Sequence, residues 1–347
     1  MSGDAPSLSR MLELVDGLDT ATVSVVGDAV LDQFEFGEIS RVSREAPVLI
    51  LDHRRTDLVP GGAGNTAANL AALDVRVRVI GRFGGDAHGR RLCRLLESRR
   101  VDVTGLVEDA DYVTPTKTRI LAGSAHTAKQ QIVRIDHGRR GLELGTPLRE
   151  RLLERARAAR RSGEAVLLAD YGYGLVDPSW IEALGPGSGP LTLDSRFALE
   201  RYGGVDAATP NLEELERALG LSLDDDDEEA IVDAGRRLRK RIEAQALLVT
   251  RGSRGMTLIE SRRAAQAIPV FGGDEVADVT GAGDTVIAVF TGSRAAGGSW
   301  REAAELANVA GGLVVMKRGT ATITRKELAA ALAESWEARK PGGTPDA

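Results

Sequence analysis

Apolar runs rich in β-branched residues alternate with amphipathic stretches along most of the chain. Buried strands are predicted for five of these runs: TVSVVG (22–27), RVRVIG (76–81), AVLLAD (165–170), LTLD (191–194) and ALLVT (246–250). Apolar residues at helical spacing predict helices between them, at 65–73, 87–100 and 147–161. Such alternation favours right-handed βαβ crossovers, so the pattern predicts an α/β fold with a mostly parallel central sheet covered by helices on both faces.

Two segments, at about 34–55 and 114–137, interrupt this alternation. Each contains two strand-like runs without an intervening helix, which predicts a small antiparallel β sheet projecting from the main domain as a lid. Exposed strand edges commonly pair between subunits, so we expect a homodimer formed through the lid. Residues 1–339 are predicted to form one domain, and 340–347 (KPGGTPDA) a disordered tail.

The composition, with 42% hydrophobic and 28% charged residues, is that of a soluble globular enzyme. The formal net charge of −6 argues against nucleic acid or a membrane as the main partner, and no apolar run approaches a membrane span. Cys93 is the only cysteine, which excludes a disulfide framework and fits a cytoplasmic protein. The sequence has no Walker A loop, GxSxG or HExxH motif, and its four histidines lack metal-ligand spacing.

Glycines and acidic residues cluster near the predicted end of the first strand. VVGDAVLD (25–32) places Asp28 and Asp32 beyond that strand, and PGGAGN (60–65) places Gly61, Gly62 and Asn65 at the head of a helix. Ligands of open α/β sheets bind at the carboxyl ends of the strands, so both segments should face one crevice. The glycines would let a hydroxyl-rich ligand approach the backbone. The alternative is that they are turn glycines beside capping Asp and Asn side chains.

The segment DVTGAGD (278–284) opens a predicted helix with a glycine-rich turn. Unpaired N–H groups at such a helix start bind phosphate. Asp284, one residue past the turn, would repel a phosphate but could take the proton of a hydroxyl that attacks it. The alternative is that Asp284 is an ordinary N-cap. TPNLEE (209–214), VTRGSRGM (249–256) and the helix and loop at 306–324 belong to the same half of the crevice.

GGAGNTAANLAAL (61–73) and DVTGAGDTVIAVF (278–290) resemble the two signatures of the PfkB (ribokinase-like) carbohydrate kinases. PNLEE and VTRGSRG resemble that family's Asn-x-x-Glu and Thr-x-Gly-x-x-Gly motifs, and the resemblance covers about residues 20–330. It implies a ribokinase-like three-layer fold and an enzyme that transfers the γ-phosphoryl of ATP to a sugar hydroxyl. It also implies Mg²⁺ as a cofactor and a site for K⁺.

Within the family, VVGDAVLDQFEFGEISRVSREAPV (25–48) and TPNLEELE are most similar to the kinases of D-glycero-β-D-manno-heptose 7-phosphate. That similarity implies transfer to the anomeric hydroxyl, giving the 1,7-bisphosphate for nucleotide-activated heptose synthesis, by a kinase without an adenylyltransferase domain. LDSR (193–196) and ADYGYG (169–174) differ from the Asp-Pro-Lys and DYxKG usual in that group. A hexose phosphate, ribose or a nucleoside stays open as the acceptor, as does a catalytically silent binding protein.

The resemblance implies roles for residues at the matching positions. Asp284 would be the catalytic base, and Gly281, Ala282 and Gly283 would present N–H groups to the transferred phosphoryl. Sugar binding would fall to Asp32, Gly61, Gly62 and Asn65, with help from Asp28. Nucleotide binding would fall to Asn211, Leu212, Glu213, Glu214, Thr250, Gly252, Gly255 and Asn308. Glu214 would also hold Mg²⁺ through water, and the K⁺ site would comprise Asp278, Thr280, Lys317 and Gly319.

A sugar phosphate also requires cationic side chains at the end of the crevice away from ATP. The predicted lid supplies Arg44 and Lys117, with Arg41 and Arg119 nearby. On an exposed strand pair such residues can equally be solvated edge charges. The sequence therefore predicts a phosphate-binding role for Arg44 and Lys117 and leaves this alternative open.

Overall fold

The computed structural model describes residues 6–123, 129–272, 277–317 and 319–338. Its strands are β1 (Thr22–Gly27), β2 (Ala29–Val42), β3 (Leu49–Gly62), β4 (Arg76–Gly84), β5 (Leu106–Asp109), β6 (Thr116–Gly123), β7 (Gln130–His137), β8 (Ala165–Asp170), β9 (Leu191–Ser195), β10 (Ala207–Ala208), β11 (Ala246–Thr250), β12 (Met256–Glu260) and β13 (Gln266–Ile268). The five strands predicted from apolar runs are confirmed as β1, β4, β8, β9 and β11. The predicted tail at 340–347 lies outside the described residues, and a single domain over 1–339 stays a prediction.

The helices are α1 (Leu8–Asp16), α2 (Ala63–Ala72), α3 (Ala87–Ser98), α4 (Thr146–Arg161), α5 (Ser179–Leu184), α6 (Leu212–Leu219), α7 (Glu228–Arg241), α8 (Ala282–Ala295), α9 (Trp300–Val315) and α10 (Arg325–Ala338). The three predicted helices correspond to α2, α3 and α4. Local side-chain caps fix where several helices begin: Asp86 caps α3, Asp227 caps α7, and capping boxes open α6 and α9. Among the described residues, no helix is long and apolar enough to cross a membrane.

Nine of the described strands form the main sheet, in the order β13-β12-β11-β10-β9-β8-β1-β4-β5. From β11 to β5 all neighbours are parallel, whereas β12 and β13 add an antiparallel edge. Successive residues of a strand face opposite helix layers. Val25 belongs to the apolar cluster that contains Leu70 of α2 and Phe290 of α8, and Val26 to the cluster that contains Leu152 of α4. The predicted three-layer α/β arrangement is therefore confirmed.

The two segments that interrupt the alternation form a second sheet, called the lid sheet, in the order β3-β2-β6-β7. The pairs β2–β3 and β6–β7 are antiparallel hairpins, as predicted. The two hairpins join through β2 and β6, which run parallel from Leu31↔Thr116 to Glu38↔Gly123 because both strands leave the main domain in the same direction. The lid sheet is therefore mixed rather than wholly antiparallel.

The lid sheet exposes apolar side chains: Ile39, Leu49, Val133 and Ile135 are each at least 40% exposed. Exposed apolar clusters of this kind are typical of protein–protein contacts. A homodimer through the lid stays a prediction, and the mass of the protein in solution is the measurement that decides it.

Candidate active site

A cavity of about 330 Å³ opens between the lid sheet and the carboxyl ends of the main-sheet strands. This is the edge at which ligands bind in open α/β sheets. The predicted site residues that line the cavity are Asp32, Gly62, Lys117, Asn211, Glu213, Glu214, Thr250, Thr280, Gly281, Gly283 and Asp284. The structure therefore brings together segments from β2 to α8 that the sequence separates by about 250 residues.

Asp284 is the third residue of α8 and faces the cavity. Its Oδ2 accepts a hydrogen bond from Asn65 Nδ2 at 2.6 Å, and its Oδ1 contacts the hydroxyl of Tyr171. The N-cap of α8 is Gly281, so the alternative role of Asp284 as an N-cap does not hold. Burial, and then the nearby carboxylate of Asp194, raise the pKa of Asp284 to about 7.

The turn before α8 requires glycine at position 281. Gly281 lies in the left-handed region, with φ of 81°, and a Cβ there would stand 2.8 Å from Asn65 Nδ2. The first N–H groups of a helix have no partner within the helix, and Gly283 leaves open space above them. The N–H of Ala282 instead donates to the carbonyl of Val279, and Ala282 does not line the cavity. Two of the three predicted glycine-turn residues therefore reach the cavity.

At the lid end of the cavity, Asp32 of β2 forms an ion pair with Arg119 of β6. Gly61 lies against this carboxylate, since a Cβ at position 61 would stand 2.2 Å from Asp32 Oδ2. Lys117 also lines the cavity, and within the described residues its ammonium has no hydrogen-bond or ion-pair partner. Burial lowers the pKa of Lys117. The lid end of the cavity therefore contains one carboxylate in an ion pair, Asp32, and one ammonium group without a close ion pair, Lys117.

Four residues predicted to contact the sugar do not line the cavity. Gly61 and Asn65 lie behind its wall, against Asp32 and Asp284, whereas Asp28 and Arg44 are engaged or placed elsewhere. The buried carboxylate of Asp28 accepts the backbone N–H groups of Tyr171, Tyr173 and Leu175, at 2.9–3.3 Å, and so holds the loop after β8. Burial raises the pKa of Asp28 to about 6. Arg44 lies exposed in the turn between β2 and β3, away from the residues that line the cavity. Contact of Asp28 with the sugar and of Arg44 with its phosphate stay predictions, which the lining of the cavity does not support.

At the opposite end, Asn211 and Glu214 form the capping box that opens α6. Asn211 Oδ1 accepts the Glu214 N–H at 2.8 Å, and Glu214 Oε2 accepts the Asn211 N–H at 3.0 Å. Asn211 also bridges to Thr250 at the end of β11. Burial raises the pKa of Glu214. Both capping residues thus combine a structural role with a place on the cavity wall.

Several predicted nucleotide-binding residues lie outside this cavity. Leu212, Gly252 and Gly255 do not line it, although Gly252 and Gly255 form the turn after β11. Asn308 of α9 is buried beside a second cavity of about 590 Å³ and donates to the carbonyl of Pro269 at 2.8 Å. Four of the eight residues assigned to nucleotide binding therefore line the first cavity, one lines the second, and three line neither of the two.

The predicted cation loop connects to α8 through one carboxylate. Asp278 accepts the N–H groups of Thr280, at 2.9 Å, and Gly319, at 3.2 Å. Lys317 points elsewhere, since its ammonium donates to the Thr322 carbonyl and to Glu327 of α10. Asp278 thereby joins the 319 loop to the segment that leads into the glycine turn.

Among the cavity-lining residues that the sequence did not assign to the site, four carry titratable side chains: Tyr171, Asp194, Arg196 and Arg217. Tyr171 follows β8, and Asp194 is the penultimate residue of β9. Their positions at the carboxyl ends of strands could have identified them as site residues from the sequence. Three of the four lie in ADYGYG and LDSR, the segments that differ from the heptose kinases. Of the positions that differ from DYxKG and Asp-Pro-Lys, which are 173, 195 and 196, only Arg196 lines the cavity.

Comparison with solved structures identifies the fold. The structure of Arabidopsis thaliana ribokinase complexed with ribose and ATP matches with a TM-score of 0.71 and 22% identity, over 90% of this chain and 98% of that one. Phosphofructokinase-2 from Escherichia coli, in complex with substrates and products, matches with a TM-score of 0.74 and 19% identity, over 90% and 99%. The α/β fold is therefore ribokinase-like.

Comparison of sequences identifies the family. The bifunctional protein HldE of Geobacter sulfurreducens is 38% identical over 313 residues, which are 89% of this chain and 62% of that protein. HldE of Nitrosococcus oceani is 41% identical over 326 residues, 90% of this chain and 64% of that protein. The chain thus spans less than two thirds of the length of these curated relatives. The model of the pfkB family carbohydrate kinases matches residues 20–327, and the chain belongs to this family of enzymes, which transfer a phosphoryl group to a sugar hydroxyl.

Proposed function

We propose that this chain is an ATP-dependent kinase that phosphorylates the anomeric hydroxyl of D-glycero-β-D-manno-heptose 7-phosphate to give the 1,7-bisphosphate. The resemblance of residues 25–48 and 209–216 to heptose kinases and the match to the HldE proteins support this acceptor. In the proposed reaction, Asp284 takes the proton of the anomeric hydroxyl. The oxygen of that hydroxyl bonds to the γ-phosphorus, and the bond between the γ-phosphorus and the leaving ADP oxygen breaks. The N–H groups at the start of α8 would stabilise the charge of the transferred phosphoryl.

The observation that carries a phosphorylated acceptor is the distribution of charge along the cavity wall. Four cationic side chains line it, and two are engaged: Arg119 by Asp32, and Arg217 by Glu213 at 2.6 Å. Lys117 and Arg196 form no close ion pair within the described residues, although the charges of Asp32 and Asp284 act on Lys117 and the charge of Arg196 acts on Asp194 and Glu214. Two cations without a close ion pair, on the wall of a cavity that holds a catalytic carboxylate, suit a ligand that carries its own dianion. We therefore place the 7-phosphate of the sugar at Lys117 and Arg196.

The decisive experiment compares kcat/KM for heptose 7-phosphate, fructose 6-phosphate, ribose and adenosine, with release of ADP as the readout. We expect heptose 7-phosphate to be the best acceptor and the two unphosphorylated compounds to be poor, because they leave the cations unpaired. A higher kcat/KM for ribose or adenosine would refute the heptose acceptor and leave a pfkB-type kinase of another substrate. The absence of ADP release with every acceptor would support a silent binding protein.

Mg²⁺ would accompany ATP at the opposite end, where Glu214 fits its chemistry. Mg²⁺ prefers oxygen ligands and keeps much of its water shell. Glu214 Oε2 is used by the capping box, but Oε1 has no partner within the described residues, and burial raises the pKa of this carboxyl. Within the part of the chain that the structure describes, no three Asp, Glu, His or Cys side chains are grouped so that they could hold a metal ion directly. These features favour contact through water, and the bound ion would neutralise charge on the phosphates.

Replacement of Glu214 by glutamine separates metal binding from helix capping. Glutamine preserves the capping box, because its side-chain oxygen also accepts the Asn211 N–H, but it removes the negative charge. We expect the half-saturating Mg²⁺ concentration to rise about tenfold or more with little change in Tm. The measurement is a Mg²⁺ titration of activity at saturating ATP. An unchanged titration would mean that Glu214 serves α6 alone.

We also propose that activity requires K⁺, bound near Asp278. This carboxylate already ties the 319 loop to the glycine turn, and a cation near it would strengthen that link. Replacing K⁺ by a large organic cation should lower activity if the proposal holds, and equal activity in both salts would contradict it.

A further inference from the structure

The hydroxyl of Tyr171 lies between two carboxylates of the cavity wall. Its Oη is 2.8 Å from Asp194 Oδ2 and is in closer contact with Asp284 Oδ1. The other oxygen of Asp284 is held by Asn65 Nδ2 at 2.6 Å. Both oxygens of the proposed base therefore have a defined partner, one on α2 and one in the loop after β8.

The loop that carries Tyr171 is itself fixed. The backbone N–H of Tyr171 donates to Asp28 at 3.2 Å, and the N–H of Tyr173 donates to the same carboxylate at 2.9 Å. The Tyr171 ring packs against the backbone at Gly62, where a Cβ would stand 3.3 Å from Tyr171 Cδ2. A hydroxyl on so constrained a ring has little freedom to leave the two carboxylates.

A phenol has one proton, so Tyr171 can donate to only one carboxylate at a time. Its other short contact requires a proton on the second carboxyl group. The three groups therefore share protons, and which carboxylate is ionised depends on the other.

We propose that Tyr171 is a positioning residue: shared between Asp284 and Asp194, its hydroxyl fixes the orientation of the Asp284 carboxylate and, with Asp194, decides how readily that carboxylate holds a proton. The proposal rests on the role of Asp284 as the base. It extends the proposed function because neither Tyr171 nor Asp194 belongs to the residues that the family signatures assign.

The groups that face Asp284 make opposite contributions. Asp194 from β9 and Asp32 from β2 raise the pKa of Asp284, whereas the hydrogen bonds from Tyr171 and Asn65 lower it. Lys117 from β6 faces the same carboxylate with a positive charge. Burial, and then Glu214, raise the pKa of Asp194 to about 7 as well. Removal of Tyr171's hydroxyl and removal of Asp194's charge should therefore move the ionisation of Asp284 in opposite directions.

Three variants test this: Tyr171→Phe, Asp194→Asn and, as the matched control, Tyr173→Phe. Tyr173 lies in the same loop, and its hydroxyl makes no hydrogen bond within the described residues. The base must be ionised, so kcat/KM falls as the pH drops through the pKa of Asp284, about 7. We expect Tyr171→Phe to shift this acid limb to higher pH and Asp194→Asn to shift it to lower pH. Tyr173→Phe should leave it in place.

Tyr171→Phe should also lower kcat at pH 7 by about 10- to 100-fold, with KM for ATP nearly unchanged and partial recovery at high pH. A merely structural role would lower Tm and leave the acid limb where it is, which would overturn the proposal. Equal shifts in Tyr171→Phe and Tyr173→Phe would overturn it too.

A second measurement does not depend on turnover. The ¹³C carboxyl signal of Asp284, assigned by its loss in Asp284→Asn, should titrate at higher pH in Tyr171→Phe and at lower pH in Asp194→Asn. If no acceptor is phosphorylated, the proposed function fails, but this titration still shows whether Tyr171 controls the ionisation of Asp284. An unchanged titration in both variants would refute the inference alone.

Discussion

Asp284→Asn is expected to lower kcat by about 10²- to 10⁴-fold while ATP binding and the fold are retained. Asparagine preserves the shape of the side chain: its oxygen can accept from Asn65 Nδ2, and its NH₂ group can donate to the Tyr171 hydroxyl, which still donates to Asp194. It cannot take the proton of the acceptor hydroxyl, and the attack on the γ-phosphorus then depends on solvent. The measurement is kcat at saturating ATP and acceptor, with nucleotide affinity determined in parallel. Turnover near that of the unmodified enzyme would refute the assignment of the base.

The stability of the same variant provides an independent check. The pKa of Asp284 is raised in the folded protein from 3.8 to about 7, so ionising it costs folded-state stability. That cost is absent below about pH 4, grows between about pH 4 and 7, and is complete above the folded pKa. The difference in Tm between Asp284→Asn and the unmodified protein should therefore shift in favour of the variant from pH 4.5 to pH 8. A simple N-cap would predict a loss of about 1 kcal/mol instead.

Lys117→Ala is expected to raise KM for a phosphorylated acceptor by roughly 10- to 150-fold. This range corresponds to the loss of one charge-assisted hydrogen bond, about 1.5–3 kcal/mol. KM for ATP should change little, because Lys117 lies on β6 at the lid end of the cavity. The variant is compared above pH 8, since loss of the Lys117 charge also raises the pKa of Asp284 and would lower kcat near pH 7. The measurement is a full saturation curve for the acceptor at fixed ATP.

The matched control for Lys117→Ala is Arg134→Ala on β7. Arg134 belongs to the same hairpin but is exposed and paired with Asp136. Its removal should leave KM for the acceptor unchanged. If Arg134→Ala and Lys117→Ala have the same effect, the lid charges act by general attraction and Lys117 holds no phosphate. Arg44 is exposed in the turn between β2 and β3, so its removal should raise KM for the acceptor less than removal of Lys117 does.

Patterns among neighbouring residues were sufficient to predict the secondary structure and to find the signature segments. A β-branched run such as 165–170 predicts a buried strand because side-chain alternation is a property of adjacent residues. Likewise, glycine at 281 follows from a backbone conformation that spans a few residues, and Asp284 follows from its spacing to that turn. The sequence by itself determined the alternating α/β fold, the lid hairpins and the proposed base.

Side-chain partners depended on the tertiary structure. Asp28 and Asp32 follow the same strand, yet one is used by the loop after β8 and the other by Arg119. Tyr171 meets Asp284 across 113 positions of sequence, through the packing of β8 beside β9 and of α8 over the strand ends. Periodicity and spacing report only on neighbours a few residues apart. The parallel pairing of β2 with β6 and the group formed by Tyr171, Asp194 and Asp284 were therefore decided only when the sheets assembled.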